Sequence, residues 1–477
     1  MKKTSLEYIV RGTKGTLYAE AAGEAYRAVS AVSIDSRTVP EDCLFFCIIG
    51  ERVDAHTFLN DVREKGCHNV VVSDPAWAER MRQAGDMNVV LVPDTTRAMM
   101  DLAEQYMNDW PELIKVAVTG SVGKTTTKEL IYSVIASRYR AGKTRGNLNS
   151  EFGVPLTVFS FDPEIEAAVI EMGAGGTGPI RELSQIVKPD VAVITTVGTS
   201  HMEFFGSRDG LATEKISITE GMTDGVLIVN ADCDMLTEEQ VRRRVGDEVE
   251  LRLVGTGGTE DYVVSGISDR GIDGVSCTVE SCAEGDLRRV TFDLPVIGAH
   301  NALNAALALA AGEAVGVPME DGVKALAGIE QNANRLEILE KDGVRVINDT
   351  YNASPESMRA GLRVLANSPA DRRVAILGSM FELGDTAAEL HASVGQAVAD
   401  LGIDVLLTVG MEGTYIAEGA ARAMIEKGGR GLEIQSFMDK QEAAAVAKSL
   451  VKAGDVVLIK ASRSMGLEYI SHSLTDR

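Results

Sequence analysis

Basic residues are in short supply. The 477-residue chain carries 47 Lys and Arg against 70 Asp and Glu, a formal charge of −23. Nucleic-acid and anionic membrane surfaces call for clustered positive charge, so neither is an expected partner. Aromatic residues make up 5% and tryptophan occupies two positions, while 45% of residues are apolar, so the packed cores must be mainly aliphatic. Six cysteines are too few for a disulfide framework in a chain this long, and none stands in a CxxC pair. Cys43 and Cys47 read as two buried thiols. No uninterrupted apolar run reaches the ~18 residues of a spanning helix. The basic start, MKKTSLEYIVRG, is broken by Glu7 and Arg11, unlike a signal-peptide core. No solenoid repeat or low-complexity tract occurs. These absences leave a soluble, cytoplasmic chain, long enough for about three domains.

What is present centres on residues 118–129, VTGSVGKTTTKE. An apolar strand from Ile114 to Val118 enters a turn holding Gly120 and Gly123, and a helix is expected from near Lys128. Such a turn aims several backbone N–H groups at one point at a helix N-terminus, where the dipole also favours an anion. Lys124 supplies charge for the β- and γ-phosphates, and the Thr125 hydroxyl suits Mg²⁺. Val118 stands where the strict P-loop spacing asks for glycine, so this is a shortened variant. It predicts a nucleoside triphosphate site.

Around it the pattern alternates strands with helices, predicting an α/β protein of three units: 1–95, 96–329 and 330–477. The first is a small α/β unit whose Asp35-Ser36-Arg37 loop reads as a surface turn. The second is a mostly parallel sheet around the phosphate loop, with residues 250–296 expected as an antiparallel appendage. The third is a doubly wound, Rossmann-like sheet with strands at 344–348, 373–377, 404–409 and 455–460. QNANRLEIL, after Gly328, reads as the joint before it. In open parallel sheets ligands sit beyond the carboxyl ends of strands. Glu171 and His201 both lie at such ends, where a carboxylate and an imidazole suit a second divalent cation or serve as satisfied polar groups. Asn147 and Asn149, in a polar loop opening a helix, either bind a ligand or make Asx-turns. Lys215 reads as a solvated helix lysine. The two later α/β units suggest a cleft that closes on ligands.

The motifs VTGSVGKTTTKE, GNLNSEFGVP, EMG at 171–173, TTVGTSHMEFFGS, GAHNALNA, NRLE, DTYNASP, LGSMFELGD with His391, and KASRSMG, taken in order, resemble the Mur ligases. These are ATP-dependent amide-forming enzymes of peptidoglycan precursor synthesis. GNLN, DTYNASP and SMFELG resemble the branch that adds a D-alanyl-D-alanine dipeptide, and the DNPR signature of the amino-acid-adding branch is missing. The resemblance implies a uridine-nucleotide domain, a P-loop ATPase-type domain and a C-terminal ligase domain. It implies that Gly120, Ser121, Val122, Gly123, Lys124, Thr125 and Thr126 hold ATP, with Asn301 and Asn304 near the adenine. Arg335, Asp349, Tyr351 and Asn352 would contact the nucleotide from the third unit. Thr125, Glu171, His201 and a carbamylated Lys215 would hold two Mg²⁺ ions, with Lys124, His201 and Lys215 as the catalytic set. Ser36, Arg37 and the 51–56 loop would face the uridine diphosphate, Asn147 and Asn149 the substrate, and Lys460, Ser462 and Arg463 the peptide end. Ser217, Asn348, Ser354, Ala55 and Ala461 depart from the family pattern without removing a phosphate- or metal-binding group.

The implied substrates are small molecules: a UDP-muramoyl tripeptide, D-alanyl-D-alanine and ATP, used by a monomer. Two other readings compete with it. One is a sister ligase, amino-acid-adding or folyl-polyglutamate in type; the other is a P-loop switch ATPase.

Overall fold

Aliphatic strands alternating with helices build three large sheets, beside a two-stranded ribbon of Thr4–Ser5 and Ala28–Val29, in the computed structural model, which describes the chain apart from residues 22–27, 41, 174–179, 200–204, 284, 286, 330–333, 427, 429, 430, 476 and 477. His201 and most of the GAGGTG turn after Glu171 therefore lie outside the described residues. The first sheet runs Thr16–Ala19, Asn88–Leu91, Asn69–Val72, Cys43–Phe46, Ala31–Ser33. Only its first pair is antiparallel. Cys43 and Cys47 are buried free thiols here, as the composition suggested.

The middle sheet has nine strands. Ala141–Lys143, Ala167–Glu171, Ile114–Thr119, Val191–Ile194, Val226–Asn230, Glu250–Gly255 and Tyr262–Asp269 pair in that order and all parallel. Its central strands are buried on both faces, which is why they read as unbroken apolar runs. The antiparallel appendage is smaller than expected: Tyr262–Asp269, Val275–Ser281 and Arg288–Leu294 pair antiparallel with one another in that order, but Glu250–Gly255 pairs parallel on both sides. Glu250–Gly255 follows a helical crossover, Glu238–Arg242, and such a crossover returns the chain parallel to the strand it left. The helix after the phosphate loop also begins earlier than expected, at Lys124 rather than near Lys128. Gly123, in left-handed conformation at φ 87°, turns the chain so sharply that the following lysine and threonines already form the first turn.

The third sheet runs Glu337–Lys341, Val344–Asp349, Asp455–Lys460, Arg372–Gly378, Val405–Val409, Glu433–Phe437, parallel except for the first strand. The two outermost strands were not expected from sequence. Part of the expected joint is instead an edge strand, mostly half-buried with Leu339 alone fully buried, which hides it among polar residues.

One apolar core is continuous from Leu6 and Ile9, through Val71 and Met99, to Ala117, Ile170 and Leu227. The helix Thr95–Asn108, with nine buried residues, carries it from the first sheet to the middle one. Separate cores cover the two faces of the third sheet. The carboxyl ends of the middle and third sheets face a common cavity.

Candidate active site

The phosphate loop is fixed from behind. Ser121 N–H donates to the Thr196 carbonyl at 2.8 Å, and Thr195 Oγ1 donates to the Val122 carbonyl at 2.6 Å. A Cβ on Gly120, at φ 148°, would stand 1.9 Å from Thr195 Oγ1, so only glycine lets the loop lie against that strand end. The front of the loop opens into a cavity of about 400 Å³. Ser121, Val122, Gly123, Lys124, Thr125 and Thr126 line it, and Gly120 supports it from behind.

Lys124 folds over the loop, donating to the carbonyls of Gly120 at 2.7 Å and Ser121 at 3.3 Å. Burial lowers its pKa, and the nearby Glu171 carboxylate opposes that shift. Thr125 Oγ1 donates to Glu171 Oε2 at 2.9 Å, and Asn149 Nδ2 donates to Glu171 Oε1 at 2.8 Å. Asn147 and Asn149 both line the cavity. Glu171 is buried, as is Lys128, whose ammonium lies 3.1 Å from Glu129 and 3.7 Å from Glu171. Sequence reasoning missed Lys128. Its place one helical turn beyond Lys124 and Thr125, on the same face, was the available signal.

Lys215 departs most from expectation. It is not solvated: the helix Arg208–Ile216 turns it inward with Leu211, Ala212 and Ile216, and its exposure is 0%. Its amine has no hydrogen-bond partner among the described residues. Burial, and then the charge of Lys124, hold its pKa well below the usual lysine range. A neutral, nucleophilic amine is the state so favoured.

The third sheet closes the other side. Lys460 is buried, 2.7 Å from Asp349 Oδ2, and donates to the Asn352 carbonyl at 2.7 Å. Arg335 stacks on the Tyr351 ring at 3.7 Å from its centroid, and Arg463 approaches the same ring at 5.6 Å. Arg335, Asp349, Tyr351, Asn352 and Lys460 all line the cavity. Asn301 lines it too, whereas Asn304 lies behind, donating to Asn301 Oδ1 at 2.7 Å and lying 3.3 Å from where a Gly123 Cβ would be. Ser462 and Arg463 are not among the lining residues. Ser462 instead accepts from Phe381 N–H at 3.0 Å, tying KASRSMG to LGSMFELGD. Ser36 and Arg37 do not line the cavity either. Arg37 pairs with Asp35 at 2.8 Å and holds its carboxyl down at about 2. His300, Ser354, Ser357 and Gly361, which sequence reasoning did not single out as site residues, also line the cavity.

His391 does not line the cavity and instead braces the LGSMFELGD loop. Its Nε2 accepts from Met380 N–H at 2.8 Å while Nδ1 contacts the Ala387 carbonyl at 2.6 Å, so the bonded form is neutral with the proton on Nδ1. Burial lowers its pKa below the ordinary 6.5. The unfolded chain then binds the extra proton more readily, so the stabilisation is present above pH 6.5 and lost as pH falls below it. Thermal melts between pH 7.5 and 5 should show the wild type losing up to about 1.4 kcal/mol per pH unit from this group. The His391→Gln protein should lack that increment. Parallel curves for the two proteins would rule the assignment out.

An anion-binding loop, a hydroxyl–carboxylate pair and a cationic wall from a second sheet thus surround one volume. The family profile described as the Mur ligase middle domain matches residues 118–312, and the Mur ligase glutamate ligase domain matches residues 334–463. The UDP-N-acetylmuramoyl-tripeptide–D-alanyl-D-alanine ligase of Bacillus subtilis is 35% identical, covering 100% of this chain and 99% of its own. The crystal structure of MurF from Acinetobacter baumannii superposes with TM-score 0.88 at 29% identity, covering 100% of both chains. MurF from Thermotoga maritima in complex with ADP superposes with TM-score 0.78 at 26% identity, covering 95% of this chain and 98% of that one. The motifs, the three large sheets and these similarities agree, and the chain belongs to the Mur ligase family.

Proposed function

We infer that this protein is an ATP-dependent ligase that joins D-alanyl-D-alanine to UDP-N-acetylmuramoyl-tripeptide in peptidoglycan precursor synthesis. One observation carries the chemistry: the phosphate loop of the middle sheet and the Lys460–Asp349 pair of the third sheet line the same cavity. A switch ATPase has no need of that second wall.

A carboxylate forms no amide at neutral pH until one of its oxygens becomes a good leaving group. The tripeptide carboxylate attacks the γ-phosphoryl group, giving an acyl phosphate and ADP. The dipeptide amine then attacks the acyl carbon, and phosphate leaves. Lys124 and the loop amides meet the charge of the transferring phosphoryl group, so the chain contributes mainly positioning and electrostatics. Arg335, Tyr351 and Asp349 hold the nucleotide from the third sheet, and Lys460 keeps Asp349 and the Asn352 carbonyl in place. Closing the two walls keeps water from the acyl phosphate.

Mg²⁺ fits the residues present. Thr125 and Glu171 offer a hydroxyl and a carboxylate 2.9 Å apart beside the loop, a hard-oxygen pair. Bound there, the ion would neutralise phosphate oxygens. Among the described residues no group of three or more His, Cys, Asp or Glu side chains could hold a metal. A second ion would therefore depend on His201 and on a Lys215 carbamate. The unpartnered, neutral-leaning amine of Lys215 fits that modification, since it would add to CO₂ and present a carboxylate in place of an ammonium.

We assign residues 1–95 to the uridine nucleotide, with Ser36 and Arg37 at its diphosphate, 96–329 to ATP, and 330–477 to closure and the peptide end. Both walls of the cavity come from sheets of the same chain, in keeping with a monomer. Nucleotide-linked substrates support a cytoplasmic location. No helix among the described residues is long and apolar enough to cross a membrane. The test is isotopic. Oxygen-18 in the tripeptide carboxylate should appear in inorganic phosphate, and ADP release should require both tripeptide and D-alanyl-D-alanine. A diamino acid or glutamate replacing the dipeptide with equal efficiency would favour a sister ligase instead.

A further inference from the structure

The helix Pro355–Asn367 of the third unit touches the middle unit at both ends. At its far end Asn367 Nδ2 donates to Asp269 Oδ2 at 3.1 Å, and Ser368 Oγ accepts from Ile272 N–H at 3.2 Å. These contacts seat it on the turn between Tyr262–Asp269 and Val275–Ser281. At its near end Glu356, in the first turn, reaches across to the loop that follows Val191–Ile194. Its Oε1 accepts both Thr199 N–H at 3.1 Å and Thr199 Oγ1–H at 2.8 Å.

Three features make this more than a passing contact. A carboxylate taking two donors from one residue fixes distance and orientation together, and a charged acceptor makes such bonds strong. The first turn of a helix is where a negative side chain is favoured. The seat is also fitted: a Cβ on Gly198 would stand 3.2 Å from Glu356 Cδ, and Oε2 is buried with no partner among the described residues. The same helix presents Ser357, Ala360 and Gly361 to the cavity, so whatever holds its near end holds one wall of the site. On the other side, Arg208 donates to the Val197 carbonyl at 3.2 Å, bracing the same loop from within the middle unit.

We propose that Glu356 is a positioning residue, a latch that fastens the third unit to the 197–199 loop and keeps the cavity shut while the activated carboxyl group awaits the amine. Water entering an unlatched cavity would cleave the acyl phosphate to carboxylate and inorganic phosphate, returning the tripeptide unchanged at the expense of one ATP. The role rests on the ligase reading; the contact itself does not.

The test pairs a readout of the contact with a readout of the role. In the full-length Glu356→Ala protein, hydrogen exchange at the Thr199 amide should quicken at least tenfold without substrates. With all substrates present, ADP should outrun amide product by more than two to one, whereas the wild type stays near one to one. Glu356→Gln keeps an oxygen for Thr199 and should recover most of the coupling. Gly198→Ala keeps the carboxylate, crowds its seat and should uncouple partway. Melting curves matching the wild type would show that Glu356→Ala is folded, and if it is not, Gly198→Ala carries the test. Unchanged exchange at Thr199 would overturn the latch, and faster exchange with one-to-one coupling would overturn its role. Wild-type ADP release that ignored tripeptide and dipeptide would instead defeat the ligase reading and leave the exchange result standing.

Discussion

The Lys124→Ala protein is expected to lose about 10³-fold in turnover, on the scale of removing a donor aimed at transition-state charge. Among the described residues the ammonium donates to two loop carbonyls, Gly120 and Ser121. Those bonds keep it poised over the cavity without making it part of a core, so its removal should spare the fold. Burial weakens its charge until an anion arrives, and the triphosphate is that anion. The lysine is thus more strongly charged with nucleotide bound than without, which favours binding and phosphoryl transfer together. Single-turnover measurement of ADP formation is the check. Activity within tenfold of wild type would remove Lys124 from the phosphoryl-transfer machinery. Lys124→Arg should also fail, because a planar fork does not replace a compact ammonium inside a tight loop.

Lys215→Met should move activity and stability in opposite directions. An amine buried without a partner costs about 1–3 kcal/mol, and a thioether of similar length relieves that cost. The variant is therefore expected to melt higher than a CO₂-depleted wild type by an amount of that order. Its turnover should fall about 10³-fold, as expected where a site gives up stability for function. Carbon-13 bicarbonate should give a carbamate resonance in the wild type and none in the variant. A variant that turned over normally, or a wild type with no such resonance, would leave Lys215 as a buried lysine with no part in the reaction.

The parts of this site that were legible in sequence owe it to strand geometry. GKTTT after an apolar run, Glu171 at the end of AAVIE and Asp349 at the end of VRVIND all lie where a parallel sheet presents ligands. The burial of Lys215 was half legible. Leu211 and Lys215 are four apart and share a helix face, but which face turns inward is set by packing partners far away in sequence. Ser462 illustrates the opposite case. Its motif marked it for the peptide end, and its hydroxyl also accepts from the Phe381 amide, a contact between distant loops that no local pattern encodes. Edge strands such as Glu433–Phe437 were missed because half-solvated positions dilute the alternation that betrays a strand.

The apolar core that runs without interruption from Leu6 to Leu227 also bears on how the chain can be taken apart. The first unit and one face of the middle sheet share that core, so they are expected to unfold together. A cut between residues 95 and 96 would split one cooperative unit, baring the aliphatic face of Thr95–Asn108 and leaving both fragments prone to aggregate. A fragment ending at Gly328 would keep that core whole and bare a smaller face, where Ile297 packs into the core of the third sheet.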